Sequence, residues 1–299
     1  MCPDTEEKKD ARARGKHPVM NIVLWVLLAL DFVFSVIAPF LVPSDQAVLC
    51  ASMFFTFDML LGLVFVFCYF KIKQAIGMLV VVFLVATGFE NLSILTGFPF
   101  GNFYHTLPGP YIGLAPAVAG FCYVAFAMIG WLFAMLVVPD YLFSSRGGTA
   151  AIRIVLAGLV GGALESMFDP MGHAYFHYWV YPKGGEFFGA PFANVFGWML
   201  TIAVSLAVFY LIFLRYDDGV REGRERTYDL HLLVLLAITI PAEFVCLAVG
   251  GGQNLVDDAG VTWSSSAMFG TLADISLMLI PILVVIGYVA HRRHLKMNG

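Results

Sequence analysis

Charged residues are scarce in this chain. Asp, Glu, Lys and Arg make up 13% of its 299 residues, whereas 60% are hydrophobic. Soluble domains carry roughly twice that share of charge, about 25%. This composition excludes an ordinary soluble globular domain and indicates a protein that lies in the lipid bilayer.

Cysteine and the common catalytic motifs are also sparse. The five cysteines form no Cys-x-x-Cys pair, so we expect neither a disulfide nor a redox site. The sequence has no Gly-x-Ser-x-Gly elbow, phosphate-binding loop or dinucleotide fingerprint, and we expect no cofactor. Its few basic residues are spaced as membrane topology requires, which excludes nucleic acid as a partner.

Long apolar runs, in contrast, recur along the whole sequence. A helix needs about 20 apolar residues to cross about 30 Å of hydrocarbon. We predict an all-α fold, a polytopic transmembrane helical bundle that forms a single domain over residues 19–290. A disordered cytoplasmic tail over 1–18 precedes it, and a second cytoplasmic tail over 291–299 follows. The eight predicted spans are 19–42, 46–70, 76–96, 113–138, 150–168, 192–214, 229–249 and 267–290.

The basic residues predict the orientation of the chain in the membrane. Of the 17 Lys and Arg residues, all except Lys183 fall in the two tails or in alternate connections. The positive-inside rule therefore places both termini in the cytoplasm. We expect a multi-pass protein of the plasma membrane that contacts membrane lipids on all sides.

Acidic residues occur in or beside the spans with no Lys or Arg predicted to be buried near them. Burial disfavours a charged carboxyl group, so we expect these acids to hold a proton, and a neutral carboxylic acid can act as a general acid. Singly, each is explained equally well by a hydrogen bond between helices. All except Asp31 and Asp58 lie in the outer parts of their spans, which predicts a polar pocket near the outer leaflet. The seven acids are Asp31, Asp58, Glu90, Glu165, Asp169, Glu243 and Asp274.

Two outer loops share the pattern Gly-x-Pro-Phe-(Gly/Ala)-Asn, over residues 97–102 and 189–194. Backbone this apolar is tolerated at membrane depth only where protein or a water-filled cavity satisfies its polar groups. We therefore predict two turns that cover one shared pocket, with Asn102 and Asn194 placed beside the substrate. Internal duplication is the alternative, but the flanking spans show no further similarity.

The dipeptide Asp169-Pro170 leaves two other roles open. Asp before Pro is a strong signal for the start of a helix, so capping alone is one explanation of Asp169. A helix that starts there would place His173 and His177 on one face. Together with nearby carboxylates these histidines form the alternative of a metal site, although the chain has no His-Glu-x-x-His motif and histidine also occurs in interfacial belts.

Two blocks of sequence carry a family resemblance. The first contains Glu90-Asn91 and residues 96–104, and the second contains Asp169-Pro170, Trp179 and residues 187–191 and 194–198. These blocks resemble the membrane carotenoid biosynthesis proteins, a family that includes the carotenoid 1,2-hydratases of bacteria and of bacterioruberin-forming archaea. Size and number of spans agree too, so the resemblance covers roughly residues 20–290.

The resemblance implies a carotenoid hydratase, an enzyme of the hydro-lyase type. Water would add across the terminal isoprenoid double bond of an acyclic or monocyclic carotenoid, giving a tertiary alcohol. The resemblance also implies a hydrophobic isoprenoid substrate and association with other enzymes of the carotenoid pathway. The residues suit this chemistry, since a poorly solvated acid protonates an alkene and aromatic faces stabilise the resulting carbocation.

Site residues follow from the same reasoning. We assign the acid and water-positioning roles to Glu90 and Asp169, without deciding which has which, and add Glu165, Asn102 and Asn194 as further catalytic residues. Aromatic and imidazole side chains of the two blocks are expected to contact the substrate. They are Phe98, Phe100, Tyr104, His105, Trp179, Phe188, Phe192 and Trp198.

Two other functions remain open at this point. Another membrane enzyme that modifies an isoprenoid or polyprenyl lipid, such as a cyclase, uses the same proton-first chemistry. A lipid or proton-coupled carrier would instead use Asp31 and Asp58, because transporters bind their substrates near the middle of the membrane. The carrier alternative is weakened by the lack of a second half that aligns with the first.

Overall fold

The computed structural model describes residues 18–139, 145–217 and 228–298. Eight helical segments in these residues are long and apolar enough to cross a membrane, which confirms the predicted polytopic helical bundle. The tail predicted over 1–18 lies outside the described residues except for Pro18. In chain order, spans 1 to 8 are Val19–Phe40, Ser44–Tyr69, Ile72–Thr96, Ala117–Val137, Arg146–Tyr175, Phe192–Leu214, Asp229–Gly250 and Ser265–Lys296.

Several spans combine an α-helix with a tighter or wider turn, and the short strands occur only in the connections. The α-helices are α1 (Pro18–Phe32), α2 (Ser44–Ala51), α3 (Met53–Tyr69), α4 (Ile72–Thr96), α5 (Ala117–Val137), α6 (Arg146–Ser166), α7 (Phe192–Phe209), α8 (Asp229–Gly250) and α9 (Ser265–Asn298). The π-helical segments are Val33–Ile37, Met171–Tyr175 and Tyr210–Leu214, and Ala38–Phe40 is a 3-10 turn. The strands are β1 (Tyr104–His105), β2 (Tyr111–Ile112), β3 (Ala115–Pro116), β4 (Trp179–Val180), β5 (Asn254–Val256) and β6 (Thr262–Ser264).

The predicted span boundaries agree best with the structure where residues that interrupt a helix bound the apolar run. Span 6 runs from residue 192 to residue 214 as predicted, and span 7 ends one residue later than predicted. Span 5 is longer than the predicted 150–168, because a tight turn after Ser166 leads into a π-helical segment that ends at Tyr175. Helix α9 stays helical to Asn298, through the residues assigned to the carboxyl tail.

Span 4 is the most buried of the described spans, and its helix α5 packs against α3, α4 and α6. The contact with α3 is close because Gly62 faces the backbone of Ala125. A Cβ atom added to Gly62 would lie 2.7 Å from the Ala125 Cα atom. Protein interiors tolerate no such overlap, so a residue without a side chain is required where these two helices cross.

Substitution of Gly62 at this crossing and substitution of Gly88 at an open position should have opposite effects on stability. We expect Gly62→Ala to lower the free energy of unfolding by about 1–3 kcal/mol, since the new methyl group overlaps backbone atoms. Gly88→Ala in α4 is the matched control, because nothing lies within 4 Å of its added Cβ, and alanine favours a helix over glycine by up to ~1 kcal/mol. Thermal unfolding of the purified protein in detergent measures both changes. Equal melting temperatures for the two variants would contradict the close crossing.

Three connections meet at one end of the bundle, which we call the loop end: residues 97–116, 176–191 and 251–264. Strands β1 and β4 pair antiparallel, with His105 opposite Trp179, so the first two connections are joined. The third forms the β5–β6 hairpin, which Asp257 stabilises by accepting hydrogen bonds from Val261 N (2.8 Å) and Trp263 Nε1 (2.7 Å). The loop end is therefore covered by a folded cap.

Candidate functional site in the loop end of the bundle

The first Gly-x-Pro-Phe turn is held onto the end of α4 by Ser93. Its hydroxyl oxygen accepts a hydrogen bond from Phe100 N (3.0 Å) and donates one to Gly101 O (2.9 Å). Gly97 ends α4 with a φ of 85°, and Gly101 has a φ of 97°; both values lie in the left-handed region that favours glycine. The glycines of the motif are therefore needed for the backbone conformation of the turn.

The second turn lies against the first. A Cβ atom added to Gly101 would lie 2.9 Å from Pro191 Cγ, so the two turns are in van der Waals contact. The β1–β4 pairing is extended by Thr106, whose backbone N–H donates to Tyr178 O (3.0 Å) and whose hydroxyl donates to His177 O. Both loops thus fold back over the bundle as one cover.

Beneath this cover lies a pocket of about 270 Å³. Helices α3 to α7 supply its walls, and the residues around β1 and β4 close it. In the described part of the chain no Lys or Arg lines it. Its polar lining consists mainly of Glu90, His105, Glu165, Asp169, Tyr181 and Asn194, and its aromatic lining of Phe55, Phe103, Phe168, Tyr178, Trp179 and Trp198.

Glu90 is held by two side chains from different elements. Its Oε2 lies 2.9 Å from His105 Nε2 in β1, and its Oε1 accepts a hydrogen bond from the Tyr123 hydroxyl in α5 at 2.9 Å. Tyr123 in turn stacks on Trp198, with ring centroids 3.7 Å apart. The carboxyl group is buried and fixed in position from both sides.

Glu165 and Asp169 are four residues apart at the loop end of span 5, and both line the pocket. Asp169 Oδ1 accepts hydrogen bonds from Trp179 Nε1 (2.9 Å) and from the Tyr181 hydroxyl (3.5 Å). Glu165 Oε1 has a weaker contact with Asn194 Nδ2, at 3.4 Å. Glu165 Oε2 and Asp169 Oδ2 are buried and accept no hydrogen bond from the residues that the structure describes.

Tyr181 acts as a permanent hydrogen-bond donor at this site. Burial raises the pKa of its phenol well above the usual range, and the carboxyl groups of Asp169 and Glu165 raise the pKa further. The hydroxyl group therefore keeps its proton across the physiological range of pH. Its hydrogen bond to Asp169 stabilises a negative charge on that carboxyl group.

The capping interpretation of Asp169 is wrong in this structure. Both hydrogen bonds to its Oδ1 come from side chains, those of Trp179 and Tyr181. The segment that follows begins at Pro170 without a side-chain cap. Asp169 is instead turned into the pocket, where its burial is nearly complete.

The structure brings together only part of the predicted site. Glu90, Glu165, Asp169, Asn194, His105, Trp179 and Trp198 all line the pocket. The remaining predicted residues do not. They are Asn102, Phe98, Phe100, Tyr104, Phe188 and Phe192.

Those remaining residues serve the cover or face outward. Asn102 is exposed and folds back onto its own turn, with its side chain beside Gly97. Phe98 and Phe192 are 56% and 51% exposed, and Tyr104 is likewise exposed. Phe100 and Phe188 are packing residues: Phe100 is fully buried, with its ring 6.1 Å from that of Tyr123, and the Phe188 ring lies 5.6 Å from that of Trp263.

Four of the seven membrane acids lie elsewhere. Glu243 is fully buried in α8 and Asp274 is exposed on α9, and neither lines the pocket although both lie in the loop-end halves of their spans. Asp31 accepts a hydrogen bond from Ser35 (3.0 Å), and Asp58 is buried in α3. A prediction based only on the depth of each acid in the membrane therefore assigned too many acids to the site.

The residues of the alternative metal site are not brought together by the structure either. His173 Nδ1 and His177 Nδ1 each lie 3.9 Å from Asp258 Oδ2, and neither histidine lines the pocket. His177 has a φ of 52° and lies after the π-helical segment, so the two histidines do not share a helical face. No group of three or more His, Cys, Asp or Glu side chains within residues 18–139, 145–217 and 228–298 is arranged to hold a metal ion.

Two tyrosines that donate hydrogen bonds to the pocket carboxyl groups were missed as site residues by sequence reasoning. Tyr123 carried a usable signal, because a phenol within an otherwise apolar span needs a hydrogen-bond partner, and Glu90 is that partner. Tyr181 was hidden among the aromatic residues of its loop. The wall formed by Phe55 and Phe168, whose rings stack at 3.9 Å, had no signal in the sequence because both look like ordinary core residues.

Comparison with known proteins identifies the family of the chain. Residues 50–257 match the profile of the family described as "Carotenoid biosynthesis protein". The chain is also 26% identical over 195 residues to bisanhydrobacterioruberin hydratase of Haloarcula japonica, an alignment that covers 64% of this chain and 60% of that protein. No solved structure matches the chain. Since the family profile covers well over half of its length and includes all three carboxyl groups of the pocket, this chain belongs to the carotenoid biosynthesis protein family.

Proposed function

We propose that this protein is an enzyme that adds water to the terminal isoprenoid double bond of an acyclic or monocyclic carotenoid. The observation that carries the proposal is the pair Glu165 and Asp169, which lines an aromatic pocket without any Lys or Arg among the described lining residues. A hydratase needs a proton donor, a stabiliser of the carbocation and an acceptor for the proton of the attacking water. The pocket offers a group for each task.

Glu165 is the proposed proton donor. Its hydrogen bond to Asn194 is long, at 3.4 Å, and its second oxygen is buried without a partner in the described chain. Both features disfavour a carboxylate and favour the neutral acid. Although Glu165 ranked behind Glu90 and Asp169 on sequence alone, its surroundings suit proton donation better than theirs.

Asp169 is the proposed carboxylate of the pair. Hydrogen bonds from the Trp179 indole N–H and the Tyr181 hydroxyl stabilise its negative charge, and two carboxyl groups close together in a low dielectric do not both ionise. Acid–base catalysis requires one neutral carboxyl group as the acid and one charged carboxyl group as the base.

The reaction then proceeds in two steps. Glu165 donates its proton to the less substituted carbon of the double bond, and the more substituted carbon becomes a tertiary carbocation. The Asp169 carboxylate and the faces of Phe168 and Trp179 stabilise this cation. A water molecule attacks it and forms the C–O bond, and the proton that the water loses passes through Asp169 back to Glu165. The net change is the addition of one water.

Glu90 is proposed to position that water. Its carboxyl group is fixed by His105 and Tyr123 and reaches the pocket from α4, whereas Glu165 and Asp169 reach it from span 5. The buried His105 Nδ1 has no hydrogen-bond partner among the described residues and is available to water. Nucleophile and acid would then approach the double bond from different walls.

Expression in a host that accumulates lycopene or a monocyclic carotene tests the function. We expect the pigment to gain the mass of one water and, in water enriched in oxygen-18, to carry the heavy oxygen in its new hydroxyl group. The empty vector is the control. A cyclised pigment of unchanged mass would replace the proposal with the cyclase alternative. Proton-dependent uptake of a solute into vesicles, with the pigment unchanged, would replace it with the carrier.

A further inference from the structure

One wall of the pocket is formed by the loop-end halves of α3 and α5. Three residues of each helix line the cavity on this side. We call this group the lateral portal. It consists of Phe55, Thr56, Met59, Val118, Ala119 and Cys122.

The two helices are packed against each other at the end of the lateral portal that lies deepest in the bundle. They cross at Gly62 and Ala125. One turn nearer the loop end, Met59 Sδ and Cys122 Sγ are still in contact at 3.5 Å. The other four residues of the lateral portal line the pocket between that contact and the loop end.

Residues of the lateral portal also reach the surface that would meet lipid. Val118 is 38% exposed, and the neighbouring Leu60, which does not line the pocket, is 39% exposed. The other residues of the lateral portal are partly exposed. Because α3 and α5 belong to spans 2 and 4, their exposed outer faces contact hydrocarbon. The lateral portal therefore lies between the lipid-facing surface of spans 2 and 4 and the pocket that holds the carboxyl groups.

The size of the pocket limits what can enter. Its 270 Å³ lies slightly below the range of about 300–1,000 Å³ found for pockets that hold drug-sized ligands. A complete carotenoid chain approaches the ~30 Å thickness of the hydrocarbon core in length. The cavity therefore has room for an end group and a short adjoining segment, and the rest of such a chain must remain outside it.

We propose that the lateral portal admits one end group of the carotenoid sideways from the bilayer, while the remainder of the chain stays in lipid. This inference rests on the proposed function for the identity of the substrate. It has a kinetic consequence, because the two ends of a symmetric carotenoid cannot occupy the pocket together. Each end is hydrated in a separate binding event, and the singly hydrated pigment is released into the membrane between them.

Photo-cross-linking tests the route without requiring any reaction. The probe is an acyclic polyprene that carries a diazirine a few isoprene units from its end, added to the protein in lipid vesicles. We expect peptide mass spectrometry to find cross-links on Met59, Val118 or Cys122. Cross-links confined to Leu107 and Tyr178, which line the pocket from the loops, would show entry through the cap and overturn the proposal.

A substitution pair tests the route kinetically. Ala119→Trp places a large ring in the lateral portal, and Leu60→Trp places the same ring on the adjacent lipid-facing surface. One misfit group in a hydrophobic pocket changes kcat/KM by about 10–200-fold, so we expect at least a tenfold loss for Ala119→Trp and less than about a twofold change for Leu60→Trp. Equal activity of the two variants would contradict the portal.

The time course gives a third result that separates this inference from the proposed function. With a symmetric acyclic carotenoid we expect the singly hydrated pigment to accumulate before the doubly hydrated one. Appearance of the doubly hydrated pigment without a free singly hydrated species would overturn single-ended binding. If wild-type protein hydrates nothing, the proposed function fails, whereas cross-linking still decides whether the lateral portal is the route of entry.

Discussion

Replacing Glu165 by Gln is expected to lower the rate of carotenoid hydration by ~10²–10⁴-fold, the usual contribution of a positioned general acid. Glutamine keeps the shape of the side chain and its contact with Asn194, but it cannot give a proton to an alkene. Pigment analysis after expression in a lycopene-accumulating host measures the loss, and rates in lipid vesicles give its size. Binding of the polyprene cross-linking probe should persist, because the cavity keeps its volume.

Glu243→Gln is the matched control for this change. Glu243 is also fully buried, lies in α8 and does not line the pocket. Its replacement removes a buried acid from the same bundle without touching the proposed chemistry, so hydration should continue at the wild-type rate per folded molecule. If both glutamine variants lose activity equally, the acids matter for folding and the role of Glu165 is refuted; full activity of Glu165→Gln would refute it directly.

Replacing Asp169 by Asn is the second change with a large expected effect. The carboxylate that stabilises the carbocation and accepts a proton from water disappears, and electrostatic groups of this kind contribute about 10²–10³-fold to a rate. Asn retains an oxygen that can accept the hydrogen bond from Trp179, which limits any structural damage. We expect kcat to fall while KM changes little, because the lost interaction belongs to the transition state. Steady-state rates in lipid vesicles measure the two constants.

The partners of Asp169 make this prediction sharper. Tyr181→Phe removes a donor that holds the carboxylate and should lower kcat by a smaller factor in the wild-type background. In the Asp169→Asn background the same change should have little further effect, because residues that act as a unit are not additive. Additive losses in the double variant would show that Tyr181 acts independently, and the proposed charge on Asp169 would then lack its support.

The pocket also explains why its acids can be tolerated in a membrane. An isolated charge at the bilayer centre costs several kcal/mol or more, and no Lys or Arg of the described pocket lining offsets it. Glu90 and Asp169 instead receive hydrogen bonds from Tyr123, Trp179 and Tyr181. All three hydrogen-bonding groups lie in the loop-end part of the bundle, two of them in the connection that follows span 5.

The choice of pocket acids shows how far sequence reasoning extends. Glu90, Glu165 and Asp169 were predicted because ionisable residues inside spans are rare and point to function. Glu243 and Asp274 satisfied the same criterion at a similar depth, yet the structure places them away from the pocket. Asn102 and Asn194 occupy equivalent places in the repeated motif, but only Asn194 lines the cavity, since it belongs to the first turn of α7 whereas Asn102 folds onto its own turn.

The sequence by itself determined local features of this protein. The eight spans, the glycine-dependent turns and the depth of each acid follow from runs of neighbouring residues, because hydrocarbon thickness and backbone geometry act on short segments. What only the tertiary structure decided was which face of each helix turns inward. These spans are apolar almost all round and carry no polar stripe to mark their buried side. Their rotation is set by close contacts such as Gly62 with Ala125, and that rotation selects three carboxyl groups from seven acids for one pocket.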